Sequence, residues 1–70
     1  MKKMSFATNL RELMLENKLS QQEIASKIGV SQRAVSKWLR EETEPTATNL
    51  FNLALFFDVS SDFLLGLKEH

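Results

Sequence analysis

Seventy residues hold one domain, near the lower size at which a chain folds without a disulfide or a metal. The absence of cysteine excludes a disulfide framework and a Cys-based metal site, while 43% hydrophobic residues is enough for a small core of packed helices. Nine basic and nine acidic residues cancel, which taken alone argues against a polyanionic partner. The longest apolar runs, such as 53–57, fall far short of the ~20 residues that cross a bilayer. None follows Lys2 and Lys3 closely enough to make a signal peptide, so a soluble cytoplasmic protein with no membrane partner is expected.

In chain order, Ser5 is a good N-cap, and Phe6, Leu10, Leu13 and Met14 follow at helical spacing, predicting a first helix to about Asn17. Ser20 with Glu23 three residues later is a capping box, opening a second helix whose inner face is Ile24, Ala25 and Ile28. Gly29 ends it, because glycine takes positive φ with no Cβ penalty. Ser31 caps a third helix that turns Ala34, Val35, Trp38 and Leu39 inward. The polar run 41–44 and Pro45 read as a loop. Thr46 or Thr48 opens a fourth helix through about Phe57, and Ser60 caps a short fifth one with Phe63, Leu64 and Leu65. Strand patterns, repeats and low-complexity tracts are absent, so residues 1–70 read as a single all-α domain with a helix-turn-helix at 20–40.

The charge is neutral in sum but not in distribution. From Lys18 to Arg40, five cations (Lys18, Lys27, Arg33, Lys37 and Arg40) face Glu23 alone, a net +4, whereas the chain from Glu41 onward is −5. Such asymmetry orients a protein before a polyanion while keeping non-specific affinity low. On the third helix Gln32, Arg33, Ser36, Lys37 and Arg40 fall on one face. A solvated helix face is the plain reading of such a stripe. Against it stand the capped helix and glycine turn that precede it, the geometry of a DNA-reading unit, and the small side chains Ala34 and Val35 where the two helices meet. Gln32 can bond adenine N6 and N7, and Arg33 guanine O6 and N7, each worth ~1–3 kcal/mol of base discrimination. Ser36 and Lys37, one turn deeper, extend the reading, and Arg40 is assigned to a phosphate. Gln21, at the start of the second helix, can donate to a phosphate alongside the helix amides. Lys27 complements the dipole at the end of that helix.

The stretch LSQQEIASKIGVSQRAVSKW at 19–38, EP at 44–45 and FFDVSSDFLLG at 56–66 together resemble the phage repressor and Cro-like helix-turn-helix proteins, the XRE family. The resemblance runs from Leu10 to Gly66 without a gap. It implies a compact five-helix, lambda-repressor-like domain that binds a partly palindromic DNA operator as a homodimer. It also implies a backbone contact at Gln21, base reading at Gln32, Arg33 and Lys37, and entry of the third helix into the groove at Ser31, assigned here to a phosphate. Family members often carry Arg and Glu where this chain has Met14 and Leu39, an ion pair replaced here by two apolar residues expected to touch. After Trp38 the usual Glu-Asn-Gly turn is missing, which predicts a longer third helix and an acidic loop that faces phosphates poorly. Asp58 replaces a common glycine, which predicts a weaker stop for the fourth helix.

On the fourth helix Leu50, Leu53, Ala54 and Phe57 form the inward stripe, leaving Phe51, Leu55 and Phe56 over. That surplus reads either as a core wrapping further round or as a self-association patch; dimers of the resembled family meet through their C-terminal helices, which marks Leu55, Phe56, Ser61 and Phe63. Enzymatic activity is not expected: His70, the one histidine, is terminal, and no phosphate-cradling loop or metal-ligand cluster accompanies it. Nor is a cofactor, metal or small-molecule ligand expected. Two functions remain: a transcriptional regulator on double-stranded DNA, with repression the default, or a module of the same fold that binds another regulator, an antirepressor. Seventy residues leave no room for an inducer-binding domain, and the same text also fits the front end of a larger repressor cut just after Gly66.

Overall fold

Five α-helices, α1 (Phe6–Glu16), α2 (Gln21–Ile28), α3 (Gln32–Leu39), α4 (Ala47–Phe57) and α5 (Ser61–Leu65), make up the computed structural model, which describes residues 4–68. Lys2, Lys3, Glu69 and His70 lie outside the described residues, among which there is no strand. Each helix contributes one side chain with no exposed surface to a common centre: Leu10, Ile24, Val35, Leu53 and Leu64. Phe6 and Trp38 close one side of it edge to face, with ring centroids 6.1 Å apart. Met14 and Leu39, the apolar pair expected to touch, are both buried members of the same core. α3 packs on α2 and α1, and α4 joins α2 to α5. Among the described residues, no helix is long and apolar enough to cross a membrane.

Four of the five N-caps form as the sequence predicts. Ser20, Ser31, Thr46 and Ser60 each accept, through the side-chain oxygen, from the amide three residues on; of the two threonines, Thr46 is the cap. Ser5 does not cap α1: its side chain accepts no amide hydrogen bond there. Its backbone is used instead, its N–H donating to the Leu65 carbonyl at 3.2 Å, while Asn9 Nδ2 donates to the Phe63 carbonyl at 2.8 Å. The start of α1 is thereby the partner that satisfies the last carbonyls of α5. Gly66 permits the approach, since a Cβ there would lie 2.9 Å from Ser5 Cβ.

All five helices stop by one device. A residue in the left-handed conformation turns the chain back, and the next amide bonds a carbonyl five residues earlier. These amide–carbonyl pairs are Leu19–Met14, Val30–Ala25, Glu42–Lys37, Val59–Ala54 and Leu67–Asp62, all at 2.9–3.0 Å. The left-handed residues are Lys18, Gly29, Glu41, Asp58 and Gly66. Two sequence expectations are corrected here. α3 is not lengthened by its missing glycine turn but ends at Leu39, with Glu41 at φ +60° in the glycine's place. α4 likewise ends at Phe57 with its hydrogen bonds formed, because Asp58 adopts φ +56°. The stop therefore does not need glycine; a side chain there costs strain instead.

Candidate nucleic-acid interface

The turn from Gly29 to Ser31 sets α3 against α2, and the burial of Val35, Trp38 and Leu39 fixes which face of α3 looks outward. Gln32 and Arg33 are exposed on that face, and Ser36 and Lys37 are half-buried one turn further along. Among the described residues, no hydrogen bond engages the side chain of Gln32, Arg33 or Lys37, and none engages the backbone N–H of Gln32 or Arg33. Those two amides belong to the first turn of a helix, where partial positive charge accumulates. Ser31 Oγ accepts from the Ala34 N–H at 3.1 Å, so the hydroxyl caps the helix and keeps its own hydrogen to donate outward.

Gln21 stands half-buried at the first position of α2. Its surroundings are less favourable to a phosphate than its position alone implies. The Glu23 carboxylate accepts the Ser20 N–H at 2.9 Å, and that bond, followed by the Ser20 hydroxyl, holds the carboxyl below its usual range. A negative charge thus already occupies the positive end of α2.

The far end of α3 is arranged differently. Arg40 Nη1 donates to Ser36 Oγ at 2.6 Å, and Arg40 Nε donates to Glu42 Oε2. The stripe read from sequence is thus divided: among the described residues the side chains of Gln32, Arg33 and Lys37 make no hydrogen bond, whereas Ser36 and Arg40 hold each other. The hydrogen bond and charge of Arg40, then the charges of Lys37 and Arg33, lower the Glu42 carboxyl from its usual range, and the same bond raises Arg40. Sequence reasoning placed Glu42 in an acidic loop that faces phosphates poorly, without a partner on α3. A second residue it did not mark is Arg11, whose Nη2 donates to the Leu39 carbonyl at 3.0 Å and ties α1 to the end of α3. Nothing in local spacing announces either contact, since one needs the backwards turn at Glu41 and the other the packing of two helices.

On the proposed self-association face, Leu55 and Phe56 are exposed by 65% and 39%, and Phe51 joins them at 60%. Ser61 is exposed, while Phe63 is half-buried against the core.

The helix-turn-helix family model HTH_3 matches residues 10–64. YobD of Bacillus subtilis, an HTH-type transcriptional regulator, is 33% identical over 64 residues, 91% of this chain and 57% of its own length. A transcriptional regulator from Listeria innocua has a crystal structure that superposes with a TM-score of 0.90 at 33% identity, covering 99% of this chain and 64% of the other. The c2 repressor of Salmonella phage P22, in a crystal with a synthetic operator, superposes with a TM-score of 0.81 at 32% identity, covering 93% and 96%. The chain therefore spans little more than half of the curated relative and nearly all of the operator-bound repressor domain. By this match, and by the capped pair of helices at 21–39, the chain belongs to the HTH_3 helix-turn-helix family.

Proposed function

We propose that this domain binds double-stranded DNA in a sequence-specific way as part of a transcriptional regulator, and that it represses by occupying a partly palindromic operator as a homodimer. The open leading end of α3 carries the proposal: two exposed side chains with two-pronged hydrogen-bonding ends, above two amides without partners among the described residues. The likeness to an operator-bound repressor domain supports it. Gln32 and Arg33 read base edges, with Lys37 and Ser36 behind them, while Ser31 and Gln21 touch the backbone and Arg40 does so only when released from Glu42. Such a domain acts by occupancy rather than catalysis, in the cytoplasm and on the nucleoid when bound. The exposed Leu55 and Phe56, with Phe51, Ser61 and the edge of Phe63, supply the apolar surface through which two copies meet.

Selection of bound sites from random duplexes tests this. The expected product is a partly palindromic site with half-sites about 34 Å apart, bound with an affinity that falls by orders of magnitude between ~50 and 200 mM salt. Equal binding to every duplex at low salt overturns the operator, and a strict monomer both free and on DNA overturns the dimer.

A further inference from the structure

Arg40 and Glu42 form an ion pair on the DNA-facing stripe, where that stripe runs into the acidic half of the chain. A guanidinium grips a phosphate by a two-nitrogen edge. On Arg40 both usable edges are already begun, one by the Glu42 carboxylate at Nε and the other by the Ser36 hydroxyl at Nη1, so that a phosphate is left with Nη2. The carboxylate is not a freely wandering group. Glu41, at φ +60°, turns the chain back over the last turn of α3, and the Glu42 N–H is fixed to the Lys37 carbonyl at 2.9 Å. The carboxylate also stands in the field of Lys37 and Arg33, the cations a phosphate would seek.

We propose that Glu42 sets the affinity of this domain for DNA: its carboxylate stands on Arg40 in place of a backbone phosphate and withholds that contact from every duplex. Recognition is thereby left to the base-reading side chains at the other end of the helix, because the contact withheld is blind to sequence. The proposal rests on the DNA-binding role above.

Its test is a mutant cycle on the whole chain: wild type, Glu42→Gln, Arg40→Ala and the double variant, each titrated with the selected site and with a random duplex between ~50 and 200 mM salt. Both side chains are about half exposed, and equal melting temperatures of the four proteins check that the fold is intact. Glu42→Gln is expected to bind both duplexes about two- to fivefold more tightly at low salt, the scale of an exposed ion pair, with a salt slope steeper by about 0.9 for one added phosphate. Arg40→Ala alone should leave the slope unchanged, and the double variant should return to wild-type behaviour. A Glu42→Gln slope equal to that of wild type overturns the proposal. So does an equal gain with and without Arg40, which makes Glu42 a repelling charge only. Failure of the wild type to bind any duplex is a separate result: it removes the DNA-binding role itself.

Discussion

At its leading end α3 leaves the amides of Gln32 and Arg33 without partners among the described residues, whereas at its far end the last four carbonyls are all taken. Arg40, Glu42 and Glu41 amides bond the carbonyls of Ser36, Lys37 and Trp38, and the Arg11 guanidinium bonds that of Leu39. Side chains follow the same division, with Arg33 making no hydrogen bond among the described residues and Arg40 held by Ser36 and Glu42. A group satisfied internally contributes to stability and has little left for a ligand, while an unsatisfied one on the surface is bonded to water that a ligand can replace. One eight-residue helix is therefore an anchored half and an open half, and substitutions should separate the two.

The largest effect is expected where the anchor is packing. Trp38 is 4% exposed and meets Phe6 edge to face, so Trp38→Ala should cost about 3–5 kcal/mol, much of the stability of a domain this small. Urea unfolding followed by circular dichroism measures it, and DNA binding should be lost together with the fold. Arg33→Ala should do the reverse. Its unfolding midpoint should stay within about 0.5 kcal/mol of wild type, while discrimination at one base pair falls by about 1–3 kcal/mol in competition with single-base variants of the selected site. A uniform loss of affinity on all duplexes would move Arg33 from the bases to the backbone.

The open half was the more legible half in the sequence. Caps are local, so Ser20 with Glu23, Ser31, Thr46 and Ser60 announce helix starts from spacing alone, and the periodicity of Ile24, Val35 and Leu53 gives the buried faces. The same cues place Gln32 and Arg33 outward. Helix ends were less legible, because left-handed residues are inferred from glycine and three of the five here are Lys18, Glu41 and Asp58. Ser5 shows the limit of a local rule: the motif is present, but the Leu65 carbonyl and the close approach of Gly66 fix the chain in another geometry. Arg11 and Glu42 were illegible for related reasons: Arg11 acts across the fold on a carbonyl 28 residues away, and Glu42 reaches Arg40, two residues before it, only through the left-handed turn at Glu41.

Arg11 then gives the next step down in size. Arg11→Met keeps the aliphatic stem but removes the donor and the charge from the C-terminal end of α3, and should destabilise the protein by about 1–2 kcal/mol. Arg11→Lys restores the charge without the planar fork and should recover part of the loss. Arg11 lies on α1 and its Nη2 is turned to a carbonyl, so Arg11→Met should lower affinity without altering base preference. A changed preference would make Arg11 a reading residue and break the division of the helix.

Glu41→Gly should have the smallest effect and the opposite sign. A left-handed L-residue carries about 1–2 kcal/mol of strain, and glycine removes it while adding about 0.5–1 kcal/mol of unfolded-chain freedom. The backbone part of the change is a gain of about 0.5–1 kcal/mol, or roughly 2–8 °C in melting temperature for a domain of this size, less whatever the Glu41 side chain contributes. Glu42 should remain over Arg40, because the bond from its N–H to the Lys37 carbonyl belongs to the turn and not to the side chain at position 41. If melting falls instead, the Glu41 side chain contributes more than its backbone costs. The far end of α3 is then anchored partly by side-chain contacts of the loop, and the strain at φ +60° is the cost of placing them.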